Sequence, residues 1–191
     1  AGQEHVLGLT AAPIKTVRVG FVGLGMRGPS AVIRFCQIPG IEIVALCDYE
    51  EKRAEAQQVH LRNAGLAPAA IYSGEKGYEE LCKRPDVDLI YIATDWNHHF
   101  PVAKFAMENG KHAAIEVPSA MNLEQCWDLI NLSEKTRMHC FILENCCYDD
   151  YEMKSLLMAQ DGVFGEVIRA AYWSIPYGDK TAKGGKWIKG P

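Results

Sequence analysis

The stretch TVRVGFVGLGMRG, residues 16–28, decides the fold. Its first seven residues are a β-branched and apolar run that reads as a buried strand, and the run stops at Gly23. Gly23-Leu24-Gly25-Met26-Arg27-Gly28 then sets three glycines at GxGxxG spacing, ahead of a helix expected over 29–38 with Pro29 tolerated in its first turn. A second apolar strand, 41–47, ends at Asp48, 20 residues after Gly28. Each part of this strand–turn–helix–strand unit has a physical reason. Gly23 permits the tight turn, Gly25 lets the backbone approach a diphosphate, and Gly28 lets helix and strand pack closely. The diphosphate charge sits on the helix N-terminus, where N–H groups and the helix dipole favour an anion. Asp48 is placed to accept hydrogen bonds from the adenosine ribose hydroxyls. The pattern implies dinucleotide binding; the alternative is a plain tight turn followed by a surface aspartate.

Charge points to which dinucleotide. Asp48, Glu50 and Glu51 put three carboxylates where a 2′-phosphate would lie, whereas Lys52 and Arg53 sit a turn further on. NAD is therefore expected over NADP. Arg27, inside the glycine loop, either reaches a phosphate oxygen or stands as an exposed arginine at a helix start.

Outward from this unit the rhythm repeats. Helices are expected over 50–64, 78–83, 100–109, 122–135 and 149–160, and strands over 70–72, 87–93, 112–116, 139–144 and 165–173. Gly40, Gly65 and Gly110 follow helices, and Asn122 with Gln125 three residues later is a capping-box start. Strands alternating with helices imply an α/β fold: a doubly wound parallel-sheet Rossmann domain, followed by an incomplete start of an α+β second domain. The expected organisation is an extension over 1–15, the dinucleotide-binding domain over 16–162, and the beginning of a substrate domain over 163–191, where the Gly/Lys-rich tail SIPYGDKTAKGGKWIKGP breaks the rhythm.

Composition excludes several classes. The 191 residues are 48% hydrophobic with a net charge of −4, from 20 Lys+Arg against 24 Asp+Glu and without a basic block, so no footprint for nucleic acid is present. No apolar run approaches the ~18 residues that span a bilayer. Seven cysteines, an odd number without CxxC spacing, do not read as a disulfide or zinc framework. His5, His60 and His139 stand apart, and no metal site is expected. A small molecule is the expected partner, with self-association left open.

The carboxyl ends of the fourth, fifth and sixth strands should line the nicotinamide half of the crevice. They carry Thr94-Asp95-Trp96-Asn97-His98-His99, Glu116-Val117-Pro118 and Glu144-Asn145-Cys146-Cys147-Tyr148. Each has a bland alternative: His98 and His99 as helix caps, Trp96 as packing, Tyr148 as an ordinary half-buried tyrosine. Cys146 and Cys147 have no base in evident support and are not taken as nucleophiles.

GLGMRG, Cys47-Asp48, TDWNHH, GKHAAIEVP (110–118) and LENCCYD (143–149) together resemble the Gfo/Idh/MocA superfamily of NAD(P)-dependent sugar-processing proteins. Within it the chain most resembles glycoside hydrolase family 109, the bacterial NAD-dependent α-N-acetylgalactosaminidases. The resemblance implies cofactor contacts at Met26, Arg27, Asp48, Trp96, Asn97, His98, His99, Glu116, Val117 and Asn145, with Tyr148 as the one catalytic candidate in this chain. It also implies a mechanism in which the sugar C3 hydroxyl is transiently oxidised and the C2 proton is thereby acidified. The glycosidic oxygen leaves by elimination, water adds, and the stored hydride returns. The superfamily's usual Glu-Lys-Pro is Glu116-Val117-Pro118 here, which argues against simple alcohol oxidation. The family's aromatic-His-Asp segment is replaced by Tyr172-Trp173-Ser174-Ile175-Pro176-Tyr177. A sugar dehydrogenase and a noncatalytic dinucleotide-binding module are the rival readings. The resemblance implies export to the periplasm or beyond, with any signal peptide preceding Ala1; the free-looking cysteines suggest cytoplasm instead.

Overall fold

A computed structural model describes residues 5, 6 and 8–167, in two compact units, Ala1–Glu144 and Asn145–Pro191. The first unit holds six strands, β1 (Val17–Val22), β2 (Ile41–Asp48), β3 (Ala70–Ser73), β4 (Leu89–Ile92), β5 (His112–Ile115) and β6 (Cys140–Ile142). Five helices alternate with them: α1 (Gly28–Phe35), α2 (Glu51–Asn63), α3 (Gly77–Cys82), α4 (Trp96–Glu108) and α5 (Leu123–Thr136). In the second unit α6 (Asp150–Gln160) buries none of its residues. The expected strand over 165–173 lies mostly outside the described residues, as does the tail after it.

The sheet order is β3-β2-β1-β4-β5-β6 and every pairing is parallel. This is the doubly wound Rossmann arrangement, with the strand order reversing between β1 and β4. Alternation along the strands builds one core on each face. Val19 and Phe21 of β1 face one way, joining Ile43, Leu46 and Tyr91 under α1 and α2. Val22 faces the other, with Ile90, Ile92, Leu81 and Met107. Gly20 lies on that second face because a Cβ there would meet Leu81 Cδ2 at 2.5 Å, so the missing side chain admits α3's leucine against the sheet. On the first face Phe21 stacks on Tyr91 at 4.9 Å between centroids, and Phe35 meets both edge-on.

One boundary departs from the expectation in a way that matters. The segment 94–99 is not a loop before a helix starting at residue 100; α4 begins at Trp96. Asp95 is its N-cap and accepts the Asn97 N–H at 3.1 Å, so neither histidine is the cap. Pro101 consequently falls inside the helix. At α5 the cap is as expected: Asn122 accepts the Gln125 N–H at 2.9 Å, though the Gln125 side chain reaches back to the Met121 N–H.

All seven cysteines are unpaired. Burial pushes the thiols of Cys47 and Cys82 up to about 12 and that of Cys140 to about 11, which leaves them inert packing groups.

The β5–β6 edge carries a titratable joint. His139 donates its backbone N–H to His112 Nδ1 at 2.9 Å, and the two rings lie 5.0 Å apart. Burial, and then the His139 charge, hold the His112 pKa below its ordinary 6.5, against a smaller opposing pull from Asp88. The folded ring takes a proton less readily than the unfolded one, so this contribution to stability is complete above the ordinary value and is lost as pH falls below it. Urea unfolding midpoints should fall between pH 7.5 and pH 5, with a shallower fall in His112→Gln; equal pH profiles for the two proteins would refute the assignment.

Candidate functional site

The first crossover turn is built by close main-chain contacts. Gly23 has φ +93°, and a Cβ on it would stand 2.4 Å from the Ala93 carbonyl carbon, so β1 meets the end of β4 backbone to backbone. A Cβ on Gly28 would come within 2.2 Å of the Gly23 carbonyl oxygen, which is why the start of α1 must be bare. Gly25 is different. The space beside it holds only Arg53 Nη1, at 3.6 Å from where a Cβ would be. The turn is therefore packed behind and open in front, as a backbone meant to receive a diphosphate requires. Arg27, the N-cap of α1, makes no side-chain cap bond, in contrast to Asp95 and Asn122 at α4 and α5. Met26 projects into solvent beside it, 98% exposed.

Asp48 ends β2 and is only 6% exposed. Its Oδ2 accepts the Leu24 N–H at 2.7 Å and its Oδ1 the Glu50 N–H at 3.0 Å. A carboxylate has about four lone-pair sites, so capacity remains for ribose hydroxyls. The same side chain thus ties the glycine turn to the end of β2. Arg53 is not remote, as its spacing suggests. Its Nη1 lies 3.7 Å from Asp48 Oδ1 and its Nη2 2.8 Å from Glu50 Oε1. Two carboxylates therefore occupy the cation at the ribose end of the crevice, which keeps it from a 2′-phosphate.

Glu116 follows β5 and is 8% exposed. The Tyr91 hydroxyl donates to its Oε1 at 2.5 Å, and Arg27 Nε donates to the same oxygen at 3.2 Å. Burial, and then this hydrogen bond, raise the Tyr91 pKa well above the ordinary phenol range, so the phenol stays a donor. Arg27 is thus half-exposed but joined to the end of β5, an outcome between the phosphate contact and the solvated arginine that its sequence position suggests. Nothing in the spacing signals this partner, 89 residues away. Tyr91 itself was missed; its only sequence mark is an aromatic in the aliphatic run LIYI.

At the end of β4, Trp96 is 60% exposed on the first turn of α4. His98 Nδ1 lies 2.5 Å from Asp95 Oδ2. Partial burial raises the Asp95 pKa, but the His98 contact and the Asn97 N–H outweigh it and the carboxyl lies below its ordinary range. His99 turns inward, 1% exposed, with both ring nitrogens against main-chain carbonyls. Val117 is half-buried, in a cis peptide with Pro118. The first unit thus brings Gly23, Gly25, Met26, Arg27, Gly28, Asp48, Trp96, Asn97, His98, His99, Glu116 and Val117 to the carboxyl edge of one sheet. Asn145 and Tyr148 belong to the second unit, where Tyr148 is exposed. The Cys146 thiol there is raised by a hydrogen bond to Asp149 and by that residue's charge, which does not favour a nucleophilic thiolate.

The opposite, amino edge holds a cavity of about 550 Å³ bordered by Ile14, Val17, Lys111, His112 and Phe141. Its polar groups already serve the fold: Lys111 Nζ donates to the Arg84 carbonyl at 2.5 Å, and His112 takes the His139 N–H. Among the described residues no group of three or more His, Cys, Asp or Glu could hold a metal ion, and no helix is long and apolar enough to cross a membrane.

A bare turn open at Gly25, an uncapped helix start and a carboxylate with spare lone pairs at β2 fit an adenine dinucleotide, and they define the class as a dinucleotide-binding Rossmann domain. Comparison with known proteins narrows it. Residues 17–143 match the Gfo/Idh/MocA oxidoreductase family, NAD-binding Rossmann fold, and the chain belongs to that family. NAD is its cofactor. It is 70% identical over 192 residues to glycosyl hydrolase family 109 protein 3 of Phocaeicola vulgatus, a match covering 94% of this chain and 35% of that protein. Protein 1 of the same hydrolase family from Bacteroides fragilis is 60% identical, over 88% of this chain and 36% of that protein. The chain thus spans about 35% of the length of such a relative. Among solved structures, myo-inositol dehydrogenase from Lactobacillus casei in complex with NAD(H) and myo-inositol shares the fold, with TM-score 0.69 and 23% identity over 78% of this chain and 43% of that one.

Two substitutions probe this geometry. Gly28→Ala should abolish measurable NAD+ binding in calorimetry and destabilise the chain by about 1–3 kcal/mol, because its methyl meets backbone that cannot move aside. Glu50→Gln should release Arg53 and raise the NADP+ affinity relative to NAD+; an unchanged ratio of the two dissociation constants would show that Glu50 does not set the preference.

Proposed function

We propose that this chain is the cofactor-binding part of an NAD-dependent glycosidase acting on α-N-acetylgalactosaminides. The observation that carries the reading is Val117 between Glu116 and Pro118. In the sugar dehydrogenases of the superfamily a lysine at this position assists alcohol oxidation; an isopropyl group has no proton to hold or move. The names of the hydrolase family 109 relatives support the same reading. The nicotinamide ring, when bound, supplies a hydride acceptor that no side chain can replace.

The work of the chain's own residues is binding and orientation. Gly23, Gly25 and Gly28 expose backbone to the diphosphate. Asp48 holds the adenosine ribose while anchoring the turn. Trp96, Asn97, His98 and Glu116 line the nicotinamide half, with Tyr91 and Arg27 fixing the Glu116 carboxylate. The proposed reaction passes through the cofactor, in contrast to the two-carboxylate route of ordinary glycosidases. By the family resemblance Asn145 is a further cofactor contact and Tyr148 the catalytic candidate; both belong to the second unit. Export from the cytoplasm belongs to the same reading and rests on the resemblance to exported bacterial relatives.

The protein carrying this chain should release aryl alcohol from an aryl α-N-acetylgalactosaminide with NAD+ present and without net NADH formation. NADH accumulating with free sugars would instead make it a dehydrogenase. Tight NAD+ binding with neither signal would make it a noncatalytic module.

A further inference from the structure

His99 is the most buried polar side chain at the carboxyl edge of the sheet among the described residues, 1% exposed in the first turns of α4. Its Nδ1 lies 2.7 Å from the Pro118 carbonyl oxygen, and its Nε2 lies 3.1 Å from that of Thr94. Pro118 follows Glu116 and Val117 at the end of β5; Thr94 precedes the Asp95 cap and Trp96 at the end of β4. The ring therefore spans the two strand-end segments on one side of the switch point between β1 and β4. Asp48 and the Gly25 face lie on the other side, away from the Pro118 and Thr94 carbonyls that the ring nitrogens meet.

Both neighbours of the ring are acceptors. A ring nitrogen that carries a proton therefore donates it to one of these strand-end carbonyls. The contact to Pro118 is the shorter, 2.7 Å against 3.1 Å, and is the stronger of the two links. A buried ring that joins two loops in this way sets their separation, because a packed interior transmits small displacements rather than absorbing them.

We propose that His99 is a positioning residue: through Nδ1 it holds the Glu116-Val117-Pro118 segment against the start of α4 and so shapes the nicotinamide half of the cofactor cradle more than the adenosine half. The inference rests on NAD binding by this domain. It assigns His99 a role through the protein rather than through direct contact with the cofactor.

The test compares two ligands and two amide variants. ADP-ribose shares the adenosine and diphosphate of NAD+ but lacks nicotinamide. In His99→Asn the amide nitrogen stands near the place of Nδ1; in His99→Gln it stands near that of Nε2. Dissociation constants for NAD+ and ADP-ribose are measured by calorimetry, with melting temperatures recorded for each protein. Asn should bind NAD+ within about threefold of the parent and Gln should lose roughly tenfold, the scale of one hydrogen bond. ADP-ribose affinity should stay within about twofold in both. Equal losses for the two ligands, no loss in Gln, or no difference between Asn and Gln would overturn the proposal while leaving NAD binding intact. An unfolded Asn variant beside a folded Gln variant would overturn it too, since the Nδ1 mimic is expected to be the better tolerated. Failure of the parent to bind either ligand would refute the cofactor reading itself.

Discussion

The main-chain packing behind the glycine turn is the constraint on which the site depends. Gly28 leaves no room for a Cβ beside the Gly23 carbonyl, and Gly23 leaves none beside the end of β4. Asp48 then locks the arrangement from β2 by taking the Leu24 N–H at 2.7 Å. With the turn closed on its inner side, the aspect left open among the described residues is the one at Gly25, facing the crevice. A buried carboxylate with two backbone donors stays well solvated by the protein, so Asp48 can stabilise the turn and still present acceptors to a ribose.

From that turn the structure runs outward along two polar links. One passes through Arg27 to Glu116 and is completed by Tyr91, whose ring is stacked in the aromatic group of the α1 face. The other passes through His99 between the ends of β4 and β5. Both join segments far apart in sequence at the carboxyl edge of the sheet, where ligands bind in doubly wound folds. The amino edge is different in kind. Its Lys111 donates to the Arg84 carbonyl just after α3, and its His112 and His139 form the β5–β6 joint, which is structural work.

On the proposed function, the step from fold to activity turns on Val117. The isopropyl group of Val117, just after β5, has no proton to hold or move. The chemistry then has to come from the cofactor and from residues outside the first unit. A Rossmann domain of this family is thus a holder whose reaction is decided elsewhere, in keeping with the general separation of fold from function.

The order of strands and helices, the glycine turn and the acid at the end of β2 were legible in the sequence because each obeys a local rule: period, cap, or a spacing of a few residues within one crossover. The burial of β1 and β4 on both faces and the cap at Asn122 follow from the same rules. The start of α4 at Trp96 was not legible, since two histidines before a Phe-Pro pair look like a loop until Asp95 is seen to cap them. Nor could the sequence place Tyr91 and Arg27 on one oxygen of Glu116, or His99 against Pro118. Those partners are set by which strands lie side by side and by the depth at which a side chain is buried. Hydrogen bonds across such distances leave no periodicity in the chain, and only the assembled sheet brings their atoms within reach.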